Sequence, residues 1–313
     1  MLSIQVKDLA RTFGSFVAVH SLSFEVYEGE VFGLLGPNGA GKTTTLRMLA
    51  CLISPTEGFA SIAGFDIRKD PISVRKSVGI LTENPSLYER LTAFENMDFF
   101  AEAYGVSSAG ERRKRIQELL EFLSLWDRRN DKVATFSKGM KQKLAIARAT
   151  VHKPQVLFMD EPTAGLDPES AKEIRDLMAK LSRLEKRTIL LCTHHLEDAE
   201  KLCKRVMIMN KGKTVIVGTP DELCDKISEK PIVQVKLGTL NKNLISAAES
   251  VGGAENVTAN FEDSSLLVTV DDARVATPEV VRRLVNAGGL ILSVNVFRPS
   301  LEEAYLKLIR REL

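Results

Sequence analysis

Apolar and polar positions alternate through the first 35 residues: Ile4 and Val6, then Phe24 and Val26, then the denser run Val31, Phe32, Leu34 and Leu35. These β-branched and aromatic runs, broken by Glu28-Gly29-Glu30, predict strands joined by a turn. A glycine-rich loop over 36–41 precedes a predicted helix Lys42–Leu52, which Ser54-Pro55 ends. From about 92 to 150 the period lengthens to that of a helix, with stripes such as Phe94, Met97, Phe100 and Ala101. Two strongly apolar runs follow, Val156–Met159 and Thr188–Cys192, with a predicted helix Glu169–Leu184 between them. Strand, helix and strand with apolar runs on either side predict a parallel sheet covered on both faces. The fold class is therefore α/β, with 92–150 as a helical insertion into the layered core.

The pattern changes at Gly218-Thr219-Pro220 and again at Glu229-Lys230-Pro231. Two domains are expected, 1–230 and 231–313. In the second the predicted elements are strand Ile232–Leu237, helix Asn241–Val251, strands Val257–Phe261 and Leu266–Val270, helix Pro278–Ala287, strand Leu290–Phe297 and a helix from about Ser300. The order βαββαβ is that of a small α+β ferredoxin-like domain.

Composition narrows the function classes. Among 313 residues, 44% are hydrophobic and 27% charged, the mixture of a folded globular chain. Forty-three basic and 41 acidic residues give a formal charge of +2, so no global field points to nucleic acid. The basic run Arg112–Arg115 is followed by the stripe Ile116, Leu119, Leu120 and Leu123, which makes it the solvated end of an amphipathic helix. No apolar stretch approaches the ~20 residues of a membrane span, and residues 1–8 lack the basic start and apolar core of a signal peptide. The chain is expected inside the cell. Its four cysteines form no CxxC pair, and Cys203, on the stripe Leu196, Ala199 and Cys203, is expected to be a buried reduced thiol.

Chemistry begins at Gly36-Pro37-Asn38-Gly39-Ala40-Gly41-Lys42-Thr43-Thr44, a GxxxxGK[ST] phosphate loop between a strand and a helix. Glycines let successive backbone N–H groups turn toward phosphate oxygens, and the helix that follows adds its positive end. Lys42 would reach the β- and γ-phosphates, and the Thr43 hydroxyl would ligate Mg²⁺. The second half of the site is Asp160-Glu161, at the C-terminal tip of the apolar strand Val156–Met159. Ligands bind at such strand ends in open parallel sheets. Asp160 is then a Mg²⁺ partner and Glu161 the group that orients and deprotonates an attacking water.

With these residues the chain resembles the ATP-binding subunits of ABC transporters. Phe136-Ser137-Lys138-Gly139-Met140, directly before a helix, is similar to the family's signature motif. Pro162–Asp167 is similar to its D-loop, and His194, just past a buried strand, to its switch histidine. The order of these elements agrees over residues 1–225. The resemblance implies a P-loop NTPase core that binds ATP and Mg²⁺ and hydrolyses ATP. It implies that Ser137 and Gly139 close on ATP held by a second ATP-binding subunit in a head-to-tail dimer, a homodimer in the simplest case, with Asp167 at the interface. His194 would contact the γ-phosphate. The adjacent His195 is expected to face away from that point and to be a satisfied surface or core histidine.

Three positions depart from the commonest family form. The Q-loop glutamine corresponds to Glu83, which offers carboxylate oxygen to Mg²⁺ or the lytic water but no amide donor; the alternative is a solvated loop acid. Lys138 and Met140 replace glycine and glutamine in the signature, and the Ser-Lys-Gly form resembles the export branch that includes drug-export ATPases. Phe13 stands where a tyrosine often stacks on adenine; the alternative is a core aromatic of the first sheet. The segment Arg298-Pro299-Ser300-Leu301-Glu302-Glu303-Ala304-Tyr305 resembles a tail of the same branch.

The expectation is an ATPase subunit at the cytoplasmic face of the cell membrane, energising export through a separate integral membrane permease. A groove between core and insertion would hold a cytoplasmic helix of that permease, with Leu87, Tyr88 and Leu91 as contacts or as packing of the insertion. The alternatives are a soluble ABC ATPase acting on a cytosolic assembly, and a P-loop kinase, which leaves Ser137, Gly139 and His194 without a role.

Overall fold

The computed structural model describes residues 1–227, 230–297 and 301–311. The chain divides into two compact units, Met1–Pro220 and Asp221–Leu313.

The first unit opens with β1 (Leu2–Phe13), β2 (Phe16–Tyr27) and β3 (Val31–Leu35), then the phosphate loop and α1 (Lys42–Leu49). Next come β4 (Glu57–Ile62), β5 (Phe65–Asp66), α2 (Pro71–Ser77) and β6 (Val78–Leu81). The insertion contributes α3 (Ala93–Ala103), α4 (Ala109–Phe122) and α5 (Lys138–Thr150). The chain returns to the core through β7 (Val156–Asp160), α6 (Pro168–Arg183), β8 (Thr188–Thr193), α7 (Leu196–Leu202), β9 (Arg205–Asn210) and β10 (Lys213–Gly218).

These strands form two sheets. The larger runs β10-β9-β3-β8-β7-β6, parallel throughout except for the antiparallel edge strand β10. All five residues of β3, all five of β7 and all six of β8 are buried, as a sheet covered on both faces requires. The N-terminal strands do not join it. They form a separate antiparallel sheet, β2-β1-β4-β5, which the alternation over residues 1–35 could not distinguish from an extension of the parallel one. One apolar core joins both sheets through α1, whose Leu46, Met48 and Leu49 belong to the same buried cluster as Ile4, Val26, Phe158 and Leu190.

The order of the large sheet positions the site. β3, β8 and β7 are neighbours in register, with Leu35 beside Thr193 and Cys192 beside Asp160. Their C-terminal tips carry the phosphate loop, Thr193-His194 and Asp160-Glu161, so residues far apart in the chain end at one edge.

The insertion is anchored locally. Thr92 caps α3 in a reciprocal box with Glu95, and Ser108 caps α4 by accepting from the Glu111 N–H. Arg112 is buried and donates to Asp98 Oδ1 at 2.7 Å, so this member of the basic run ties α4 to α3 and is not solvated.

The second unit holds α8 (Pro220–Ile227), β11 (Ile232–Leu237), α9 (Lys242–Glu249), β12 (Ala254–Asn260), β13 (Ser265–Val270), α10 (Ala273–Asn286), β14 (Ile291–Phe297) and α11 (Leu301–Arg311). Its sheet is antiparallel in the order β12-β13-β11-β14, the pairing of a ferredoxin-like βαββαβ unit. Val233, Val235 and Leu237 point inward against Leu244 of α9 and Val280 and Leu284 of α10. The largest boundary difference from expectation is at α10, which begins at Ala273, capped by Asp272, with Pro278 inside it. The proline removes one internal hydrogen bond, but Ala273, Ala276, Val280 and Leu284 form a buried stripe that holds the helix on both sides of it. Of the tail resembling the export branch, Arg298, Pro299 and Ser300 lie outside the described residues, while Leu301 and Ala304 are buried.

Gly79 in β6 is where α5 presses on the sheet: a Cβ there would stand 2.0 Å from the Ala149 carbonyl oxygen and 2.8 Å from Leu157 Cδ2. Backbone cannot yield as a flexible side chain can. Gly79→Ala is expected to destabilise the chain by about 3 kcal/mol, read as a lower urea midpoint at unchanged slope.

Candidate functional site

The phosphate loop leaves β3 and enters α1 through Gly41, which caps the helix in the left-handed region at φ 100°. A Cβ on Gly41 would also stand 2.8 Å from the Ala18 carbonyl oxygen, so strand β2 fixes a glycine here. The loop walls a cavity of about 270 Å³ with Pro37–Thr44, closed on other sides by Phe16, Ala18, Glu83, Asp160, Glu161 and His194. Lys42 is buried and donates to the carbonyls of Gly36 at 2.5 Å and Pro37 at 3.2 Å. Its ammonium is also 3.9 Å from Glu161 Oε1.

Asp160 ends β7, and its Oδ2 accepts from the Thr43 hydroxyl at 2.9 Å. Its Oδ1 is buried with no protein partner. Burial raises the Asp160 carboxyl above its ordinary value; the Thr43 hydrogen bond opposes this, and the neighbouring Glu161 charge adds to it. A buried carboxylate oxygen without a donor, beside a hydroxyl and other carboxylates, is an all-oxygen set suited to a hard cation such as Mg²⁺.

Glu161 takes a left-handed backbone, φ 51°, which turns it off the strand while its N–H still bonds the Cys192 carbonyl at 2.8 Å. Its carboxylate is held at both oxygens. Thr193 Oγ1 donates to Oε2 at 3.2 Å, and His194 Nδ1 lies 2.8 Å from Oε1. An ionised carboxylate only accepts, so Nδ1 carries the proton in this pair. Thr193 was not marked by any motif. It is fully buried, and its hydroxyl also accepts the His195 backbone N–H at 2.9 Å.

His195 is exposed, as expected of a surface histidine, and does not line the cavity, but its ring is not turned away from that of His194. Residues in an extended run alternate sides, but the chain bends at His194 and turns His195 back. The two imidazole rings lie 4.3 Å apart at 34°, so His195 stands beside His194.

Ser137 and Gly139 lie outside the cavity, as does Asp167. Ser137 Oγ caps α5 by accepting from the Met140 N–H at 3.2 Å, and Asp167 caps α6 through the Ser170 N–H at 2.9 Å. A Cβ on Gly139 would stand 2.6 Å from Ser170 Oγ, so a larger residue there would displace the Ser170 hydroxyl where α5 packs on α6. A side chain on Gly165, in the D-loop, would meet the Lys138 ammonium. The D-loop is further tied down by buried groups no motif disclosed. Gln142 donates to the Pro162 carbonyl at 2.7 Å, and Asp198 accepts from Thr163 and from Arg175.

Glu83 is exposed and lines the cavity. Phe13 does not line it. The aromatic there is Phe16, the cross-strand partner of Phe13 at the β1–β2 turn. Phe13 is 44% exposed with the Arg11 guanidinium 4.4 Å above its ring, so it is no core residue. Cys203 is buried as expected, and burial pushes its thiol up.

Known proteins resemble the chain over its whole length. The family pattern described as "ABC transporter" matches residues 19–164. The linearmycin resistance ATP-binding protein LnrL of Bacillus subtilis (strain 168) is 34% identical over 99% of this chain and 99% of its own. The doxorubicin resistance ATP-binding protein DrrA of Mycobacterium tuberculosis (strain CDC 1551 / Oshkosh) is 35% identical over 97% of this chain and 93% of its own. A solved ATP-binding subunit of an ABC transporter superposes with a TM-score of 0.65 at 35% identity, covering 72% of this chain and 93% of that one. A dimeric ATP-binding cassette solved with ADP and phosphate gives 0.63 at 28% identity, covering 69% and 98%.

Because folding raises the Asp160 carboxyl, its ionised form weakens the nucleotide-free, metal-free fold at neutral pH. That cost fades as the pH falls from the raised value toward the ordinary carboxylate range, where the folded state becomes protonated first. Asp160→Asn is therefore expected to stabilise this state by about 1 kcal/mol at neutral pH, with the gain shrinking toward acid, in chemical denaturation at a series of pH values.

Proposed function

Since the chain belongs to the family of ABC transporter ATP-binding proteins and is an ATPase coupled to transport, we propose that it powers export through a separate integral membrane permease, with Glu161 as the catalytic base. The observation that carries this reading is the Glu161 carboxylate, held by His194 and Thr193 beside the Lys42 ammonium at the mouth of a phosphate loop.

ATP would lie along Pro37–Thr44, with loop N–H groups on the phosphates and the adenine at the β1–β2 turn, where Phe16 lines the cavity and Phe13 stands across from it. Lys42 would exchange the Gly36 and Pro37 carbonyls for the β- and γ-phosphates, keeping its charge compensated throughout. Thr43, Asp160 and Glu83 would hold Mg²⁺, which neutralises charge building on the transferred phosphoryl group. Glu161 then takes a proton from a water as its oxygen attacks the γ-phosphorus, and the bond to ADP breaks. His194 fixes the carboxylate and contacts the γ-phosphate. Both partners of Glu161 are in place before nucleotide arrives, which lowers the reorganisation the reaction requires.

The placement of Ser137, Gly139 and Asp167 outside the cavity supports a head-to-tail homodimer in which they complete the site of the second subunit. Closure on two ATP molecules and opening after hydrolysis would turn bond cleavage into movement. Residues 1–230 would form the ATP-binding domain and 231–313 an accessory domain.

The permease would dock on the insertion. Tyr88 and Phe99 are about half exposed and pack edge to face at 5.3 Å, with Phe100 stacked on Tyr88. An exposed aromatic patch of this kind suits a partner's apolar helix. Docking there would hold the chain at the cytoplasmic face of the cell membrane, since no helix among the described residues is long and apolar enough to cross it. Full-length similarity to two drug-resistance ATP-binding proteins favours export over a soluble role.

Glu161→Gln is expected to lower steady-state ATPase by about 10²–10⁴-fold while ATP binding persists and an ATP-bound dimer accumulates in size-exclusion chromatography. Retained turnover would remove Glu161 as the base. Tyr88→Ala with Phe99→Ala is expected to release the chain from the native membrane fraction. The released chain should still bind ATP, which separates lost docking from misfolding.

A further inference from the structure

We propose that Glu161, His194 and His195 form a binding site for a zinc-type transition-metal ion, and that its occupation switches off hydrolysis; the second half rests on the roles proposed above for Glu161 and His194. One ligand atom from each of the three lies within 4.8 Å of the others. Two imidazoles and a carboxylate, with open positions left for water, make a ligand set that zinc uses in enzymes. Mg²⁺ prefers oxygen and octahedral geometry, so the nitrogens discriminate against the cation that accompanies ATP.

The site exists because the chain bends after β8. The bond from the His195 N–H to Thr193 Oγ1 brings the second ring to the side of the first. The His195 ring has no other assigned work: it does not cap α7, and it makes no hydrogen bond among the described residues. Around zinc the donor atoms stand roughly 3.3 Å apart, so ligation needs only a small inward swing of two exposed rings. The Glu161–His194 pair, at 2.8 Å, is closer than that and would open by about 0.5 Å as its shared proton is exchanged for the ion. Lys42, 3.9 Å from Glu161 Oε1, is a neighbouring cation whose charge opposes the ion.

The consequence for hydrolysis is direct. A bound ion takes the carboxylate oxygen that would accept the water's proton, together with the histidine nitrogen that holds it. Zinc binding and turnover then exclude each other. The site shares the cavity with the Thr43–Asp160 pair expected to hold Mg²⁺ but uses other donor atoms.

The test is calorimetric titration of the full-length chain with zinc chloride, after chelator treatment, under a non-thiol reductant and without nucleotide, because ATP itself binds zinc. One ion per chain is expected, with binding weakened about tenfold or more by His195→Ala and restored by His195→Cys, which returns a zinc ligand. Excess magnesium chloride should not compete. No saturable binding, or binding that His195→Ala leaves unchanged, as cysteine ligation elsewhere would give, overturns the site. With saturating Mg-ATP, His195→Ala should keep its basal ATPase and need about tenfold more zinc for half-inhibition than the unaltered chain. If zinc binds through His195 and hydrolysis is unaffected, the ion site stands while the switch falls with the role of Glu161.

Discussion

Two adjacent carboxylates are kept out of water at the tip of β7, and the rest of the site answers to that constraint. Asp160 and Glu161 are both almost fully buried, so each must be compensated by groups the fold supplies. Lys42, Thr43, Thr193 and His194 do so, and each comes from the end of a neighbouring strand or the start of the helix that follows. Compensation stops short at one atom, Asp160 Oδ1. A buried oxygen without a donor disfavours the empty state and favours the state in which a cation fills the gap. A nucleotide bound with a cation, as proposed above, would complete this sheet edge structurally as well as serve as substrate.

The same economy explains the signature and D-loop. Their glycines and caps have structural work inside one subunit: Gly139 admits Ser170, Gly165 admits the Lys138 side chain, and Ser137 and Asp167 cap helices. A hydroxyl that accepts a capping N–H still has its own proton to donate, so Ser137 can serve the helix and a phosphate at once. Lys138, at the first turn of α5, is a cation at a helix N-terminus, where the macrodipole disfavours it. That local cost is removed when an anion is brought to the same end.

Much of the fold was legible because burial leaves a simple trace in sequence. A strand covered on both faces must be apolar throughout, and Val156–Met159 and Thr188–Cys192 are; the C-terminal strands, covered on one face, alternate. The phosphate loop was legible because its chemistry depends on backbone approach, which only glycine permits. Pro278 misled because a proline reads as a boundary, whereas the buried stripe of α10 outweighs one lost hydrogen bond. Phe13 and Phe16 are two residues either side of a turn with equal claims by type, and only the hairpin's orientation makes Phe16 the one that lines the cavity. That the His195 ring stands beside that of His194 was not legible, because alternation of sides holds in a strand and fails at a bend, where the His195 N–H bonds the Thr193 hydroxyl.

The sequence by itself determined which chemical groups this protein owns and the order of its elements: a loop that can wrap phosphate, two carboxylates at a strand end, a histidine after another, and a βαββαβ unit behind them. Those are local properties, fixed by spacing and residue type within a few turns of chain. The tertiary structure decided which of them meet. Strand order places β8 between β3 and β7, so that residues 42, 161 and 194 share one cavity while residues 137, 139 and 167 do not. It also decided how the carboxylates are held and that two histidines stand together. The meeting of Lys42 and Thr43 with Asp160 and Glu161 joins segments more than a hundred residues apart, and that of Glu161 with Thr193 and His194 joins two strand ends, so no local pattern encodes them.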